Sequence, residues 1–137
     1  MYTIKKKNRI KTQLQICYAS GEQALLLDVD LDTYKILPEF QKLKERLGIS
    51  LLDAQKNPGE ADAEEAVGNA IIALFNLVFG EEQTADLLQF YNGNKSDALA
   101  DVYVFLCEEI FPKVENAQEQ LKEEIIAFAN KMKNESI

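Results

Sequence analysis

The spacing of apolar residues changes once along this chain, and the change limits the folds open to it. Between residues 10 and 18, apolar and polar side chains alternate, as on a half-buried β-strand. Residues 19–22 favour a turn, and the leucine-rich residues after them favour a return strand, so a β-hairpin is predicted at about residues 10–30. From about residue 33 to residue 133 the apolar spacing is instead three or four, which is typical of amphipathic helices.

These two patterns together predict the fold class. A chain of 137 residues fits one domain. We therefore predict a single domain over residues 1–137, mainly α with a small N-terminal β-hairpin (an α+β fold), whose four to five helices form a bundle. Because an isolated two-stranded hairpin is only marginally stable in water, this hairpin must pack on the helices or on a neighbouring chain.

The strongest single helix is predicted from residue 63 to residue 79. Asp62 and Glu65 have the spacing of a capping box, and Gly80 suits the position after the helix. The second half of this segment is apolar on all sides, so we predict that it is the central helix of the core. Its main apolar positions are Ala66, Val67, Ala70, Ile71, Leu74, Phe75, Val78 and Phe79.

An earlier helix is predicted over about residues 33–47, ended by Gly48. Because proline lacks an N–H, Pro38 predicts a loose turn first and a regular helix only from about Leu37. A loop is predicted at residues 53–61, which are polar and contain Pro58 and Gly59.

Two more helices are predicted after the central one. A short helix spans about residues 81–91, and the last begins after Ser96 as N-cap and continues to about Lys133. Pro112 falls inside this last pattern, so we expect a kink or a break there.

The residue inventory argues against an enzyme. The chain has no histidine, which removes the commonest general base and every Ser-His or Cys-His nucleophile pair. Its glycines are scattered singly and form no phosphate-binding loop, and its two cysteines are too few for a zinc site. We predict no catalytic residue, no metal and no cofactor.

One acidic pattern resembles a calcium loop and is best explained otherwise. Asp28, Asp30, Asp32 and Glu39 occupy ligand positions of that template, but Thr33 stands where the template needs glycine. The aspartates also alternate with apolar residues. We therefore predict the solvent-facing side of a strand, with Asp32 as a turn or cap residue.

The net charge of −8 makes nucleic acid and anionic membranes poor partners for the domain. The basic residues of positions 1–11 are more simply a solvated arm than a nucleic-acid tail. We find no signal-peptide pattern and no apolar run of about 20 residues, and Cys17 and Cys107 suggest no disulfide framework. A soluble, cytoplasmic protein is therefore expected.

The order of elements resembles a known family. The phrases are GEQALLLDVDLD, KILPEFQKL, FGEEQTADLLQFYNGN and ALADVYVFLCEEIFPKVENA. They resemble the tail assembly chaperones of long-tailed phages and prophages of Gram-positive bacteria, over most of the chain but without a signature motif. The resemblance implies a non-enzymatic cytoplasmic helper of the host cell that binds the tape-measure protein during tail assembly and associates with itself.

Partner-binding residues are predicted from apolar positions that lack an obvious cover. Beyond Pro112 an apolar stripe continues, and it either docks another copy or a client helix or folds back on the core. The hairpin, with an unpaired edge, also favours self-association. The candidate residues are Leu121, Ile125, Phe128, Met132, Leu14 and Ile16.

Two functions remain open from the residues. The first is a protein-binding assembly factor. The second is an acidic inhibitor that mimics nucleic acid and binds a DNA-binding protein, although lysines and arginines interrupt its acids.

Overall fold

Residues 1–4 and 9–135 are described by the computed structural model, and they confirm the mainly α fold with a small N-terminal hairpin. Lys5, Lys6 and Lys7 of the predicted basic arm lie outside the described residues. The elements are β1 (Arg9–Cys17), β2 (Gln23–Asp32), α1 (Thr33–Lys56), α2 (Ala61–Phe79), α3 (Glu81–Phe90), α4 (Lys95–Phe105), a π-helical segment (Leu106–Ile110) and α5 (Phe111–Glu135).

The hairpin forms where alternation predicts it. β1 and β2 pair antiparallel, with Ile10 opposite Leu31 and Leu14 opposite Leu27, and Gly21 in the turn has a φ of 90°. Alternate side chains point inward and are buried on β2, including Leu27 and Val29. Because Gln23 pairs with Cys17 across a register shift next to Ile16, the strands are irregular only beside the turn.

The side chain of Gln83 joins the hairpin to α3. Its amide nitrogen donates hydrogen bonds to the carbonyl oxygens of Asp28 (2.7 Å) and Phe79 (2.8 Å), and its oxygen accepts one from the Asp28 N–H (2.8 Å). The amide therefore pairs with the backbone of β2 much as a residue of a third strand would.

The core is centred on α2, as predicted. Ala70, Ile71, Leu74 and Phe75 are fully buried there. Buried leucines, isoleucines and valines from every other element pack around them. Ala66, which the apolar pattern placed on the buried face, is exposed.

The predicted ends of α1 are wrong at both sides. The helix begins at Thr33 rather than near Leu37, because Asp32 caps it and the loss of one N–H at Pro38 is outweighed by burial of neighbouring side chains. It also continues through Gly48 to Lys56, so the predicted loop at residues 53–61 shrinks to residues 57–60. A single glycine costs only about 1 kcal/mol in a helix, and the residues after it are good helix formers.

Two predicted caps are also wrong. α2 begins at Ala61 after Glu60, so Asp62 is a helical residue that lies near the positive end of the helix dipole. Asn94, rather than Ser96, caps α4: its side-chain oxygen accepts a hydrogen bond from the Asp97 N–H (3.1 Å). Spacing rules locate a helix start only to within a turn, because several polar residues there can serve as the cap.

The predicted distortion at Pro112 takes the form of a π-helical segment. Residues Leu106–Ile110 are π-helical, and α5 starts at Phe111 without a break in the helical rod. The N–H of Phe111 bonds the carbonyl of Leu106, five residues back. A π turn satisfies the backbone just before a residue that cannot donate, so the helix need not break.

α5 runs antiparallel to α1. Lys44 of α1 forms an ion pair with Glu115 (2.9 Å), and the hydroxyl of Tyr34, the second residue of α1, donates to Glu124 (3.3 Å). The edge of the Phe40 ring meets Phe111, with centroids 5.4 Å apart. Since α1 begins at Thr33, the part of α5 beyond Glu124 extends past the end of its neighbour.

Candidate functional site

The exposed part of α5 is the first of two apolar surfaces on the described chain. Val114 and Ala117 are buried and Leu121 is half-buried against the core, whereas every residue from 122 to 135 is exposed. We call residues 111–121 the proximal segment and residues 122–135 the distal segment. The change occurs beside the start of α1, so α5 extends beyond the core there.

The distal segment keeps the apolar stripe of the proximal one. Leu121, Ile125, Phe128 and Met132 are spaced by four, three and four residues, which places them within a sector of about 60° on a helix of 3.6 residues per turn. Ile125 and Phe128 expose 59% and 66% of their surface, and Met132 exposes 52%. These four residues are called the distal stripe below.

The two hairpin candidates are placed differently. Leu14 and Ile16 are half-buried and pack on the core, and Leu25 beside them does the same. The chain's own helices therefore cover much of the hairpin's apolar face. The structure does not bring these residues together with the distal stripe into one surface.

A second apolar surface, which the sequence reasoning missed, is a groove between α1 and α4. It encloses a cavity of about 180 Å³ beside the π-helical segment. Ile49 and Leu52, also on α1, are outside its lining and expose 61% and 59% of their surface. The apolar lining is formed by Leu47, Leu51, Leu74, Leu99, Tyr103, Leu106 and Phe111.

A signal for this groove exists in the sequence. The apolar residues that follow Gly48 belong to no stripe of the predicted helix, because that helix was expected to stop at the glycine. Once α1 is extended to Lys56, Leu51 falls one turn beyond Leu47 and lines the groove with it. The missed groove is therefore a consequence of the misplaced helix end.

The polar groups near the groove suggest no nucleophile or base. A side-chain hydrogen bond with Cys107 raises the pKa of Tyr103, so this phenol stays protonated at neutral pH. Lys44 lies over the Phe111 ring, 4.8 Å from its centroid, in addition to its pairing with Glu115. Both side chains line the groove.

The acids of β2 are engaged by neighbours on β1. Asp28 accepts a hydrogen bond from the Gln13 amide (2.7 Å), and Asp30 pairs with Arg9, which lowers the pKa of that carboxyl. Asp32 caps α1 by accepting from the Lys35 N–H (3.4 Å). Within residues 1–4 and 9–135, no three acidic or cysteine side chains are grouped as metal ligands.

Tyr91 holds the turn between α3 and α4. Its hydroxyl donates to Asp101 (2.8 Å), and partial burial together with this carboxylate raises the pKa of Tyr91 to about 12. The left-handed Asn92 and Gly93 that follow reverse the chain direction. The perturbed phenol therefore has a structural explanation in the helix turn.

None of the described helices has the length and apolar character that crossing a bilayer requires. Comparisons of the chain with known protein families, with curated proteins and with solved structures find no match.

Proposed function

We propose that this protein is a non-enzymatic, protein-binding assembly factor of the tail-assembly-chaperone kind. In this proposal it acts in the cytoplasm of the bacterial host and binds the tape-measure protein during tail morphogenesis. The distal stripe is the observation that carries the proposal, because it is a helical apolar face that leaves its own core and stays exposed.

The chemistry of the stripe suits a helical client. Ile125, Phe128 and Met132 present aliphatic, aromatic and thioether groups on one face, and unbranched methionine adapts to partners of different shape. An amphipathic helix binds such a face through its own residues at spacings of three and four. A long, aggregation-prone helical client would be kept in solution by covering its apolar face in this way.

The lack of histidine and the apolar character of the groove support the non-enzymatic part of the proposal. The choice of the tape-measure protein as client depends on the resemblance of the four sequence phrases, and it needs a direct test.

The test is co-expression with a phage tape-measure protein. The expected result is that the client is soluble and co-purifies with the wild-type protein, and that Ile125→Ser/Phe128→Ser reduces recovery of the complex by about tenfold. The matched control is Ile49→Ser/Leu52→Ser, which changes two equally exposed apolar residues on α1 and should leave recovery unchanged.

Two results would contradict the proposal. One is a client whose solubility does not depend on the protein. The other is binding to a DNA-binding protein in competition with DNA, which would favour the acidic inhibitor instead.

A further inference from the structure

We propose that the distal stripe is self-complementary, and that in the absence of a client two copies of the chain pair their α5 distal segments antiparallel around a two-fold axis. The inference deepens the proposed function, since it names a second copy as the occupant of the same stripe. Its test needs no client.

The spacing of the stripe is the first argument. The sequence of intervals is four, three, four, which reads the same in both directions. In an antiparallel pair centred between Ile126 and Ala127, Leu121 therefore faces Met132 of the second copy and Ile125 faces Phe128. With these intervals Leu121 and Phe128 are d positions and Ile125 and Met132 are a positions of a heptad, so each layer joins an a position of one copy with a d position of the other.

The charges beside the stripe are the second argument. Glu124 and Lys131 both lie on the same flank of the stripe, about 70–90° from its centre at 3.6 residues per turn. Both side chains are exposed. In the antiparallel register Glu124 of each copy faces Lys131 of the other, so the ion pair forms twice. On the opposite flank Lys122 faces uncharged Ala129, and no like-charge contact arises there.

A parallel pair does not gain this charge match. In a parallel pair, Glu124 of one copy would lie opposite Ala129 of the other, and Lys131 would have no acidic residue opposite it. The distribution of charge therefore selects the antiparallel arrangement over the parallel one.

The stripe is only partly covered where it leaves the core. Leu121 is half-buried, so one side of it can contact Met132 of the second copy. On the flank that carries Glu124, a cavity of about 180 Å³ lies between Ala117 and Gln120 of α5 and Arg9 and Thr33 at the junction of the hairpin and α1. Four apolar side chains per copy make a small interface compared with the roughly 1,600 Å² of a standard one, so we expect a dissociation constant in the micromolar range.

The experiment is sedimentation equilibrium of the full chain over a concentration series, with charge variants. Lys131→Glu should weaken the dimer by about tenfold, because it places two like-charge contacts in the interface. Glu124→Lys should weaken it similarly, with the added loss of the contact to Tyr34. The double variant Glu124→Lys/Lys131→Glu restores opposite charges and should recover wild-type affinity to within about threefold.

The matched control is Glu123→Lys, which makes the same charge change one residue away, on the face directed away from the stripe. It should leave the dissociation constant unchanged. Circular dichroism checks that each variant is folded, and all three substituted positions are exposed.

Either of two results would overturn the inference: a wild-type chain that stays monomeric through high micromolar concentrations, or a double variant that dimerises no better than the single ones. If dimerisation is absent while client recovery still depends on Ile125 and Phe128, the inference fails and the proposed function stands. If dimerisation follows the charge swap while the client ignores the stripe, the proposed function fails alone.

Discussion

The two halves of α5 have the same apolar period and opposite environments. In the proximal segment Val114 is almost fully buried, whereas in the distal segment Ile125 exposes more than half its surface. The helix is continuous between them, and its apolar face keeps one direction. The comparison shows that periodicity specifies which side of a helix is apolar, while the length of the neighbouring helix decides how much of that side is covered.

The largest expected effect on stability comes from a substitution at the centre of α2, in the middle of the core. Leu74→Ala should lower the free energy of unfolding by about 2–5 kcal/mol, because Leu74 is fully buried and its truncation leaves a cavity in the core. Chemical denaturation measures this. A change below about 1 kcal/mol would mean that the core is not centred on α2.

A matched isoleucine pair, one buried just before α5 and one exposed in the distal segment, tests the same contrast of environments. Ile110→Ala, in the π-helical segment, should destabilise the fold by at least about 2 kcal/mol, since Ile110 is fully buried. Ile125→Ala should change stability by less than about 0.5 kcal/mol when measured below the concentration at which copies associate. Equal effects of the two substitutions would show that the distal segment is also part of the core.

Gln83→Ala tests how firmly the hairpin is held to the helical body. Removing the side chain deletes three hydrogen bonds, two of them to β2, and should cost about 1–2 kcal/mol. Hydrogen exchange at the amides of β2 should accelerate more than exchange in α2. Gln89→Ala, an exposed glutamine on the same helix, is the control and should leave both measurements unchanged.

The smallest expected effect is at the acidic face of the hairpin. Millimolar calcium should produce no heat of binding in titration calorimetry. The reason is that Arg9, Gln13 and the start of α1 already engage the three aspartates of this face. A micromolar dissociation constant that Asp30→Ala abolishes would contradict this.

The sequence allowed the hairpin, the central helix and the direction of each apolar face to be predicted, because each depends on a local period. Helix ends were less predictable. Gly48 and Pro38 were expected to stop or delay α1, yet the burial of Leu37 and Leu47 in the core outweighs the cost of each residue.

The candidate site was predictable in part for the same reason. The stripe residues could be predicted from their spacing. The division between half-buried Leu121 and exposed Ile125 depends instead on where α1 begins beside α5, and this tertiary packing is not encoded in a local pattern. The groove between α1 and α4 depends on Leu51 and Tyr103, which are far apart in sequence, and no local pattern joins them.

The π-helical segment at Leu106–Ile110 has a consequence for how the length of this chain can vary. A π turn holds one residue more than an α turn. If one residue were lost, a regular α turn could replace the π turn, and the helices before and after it would keep their present relative orientation. Loss of a single residue there would thus leave Val114, Ala117 and the distal stripe on their present side. The same deletion within α5 would rotate everything after it by about 100°. Within the α4–α5 rod, this segment is therefore the place where loss of one residue leaves the orientation of the following helix unchanged.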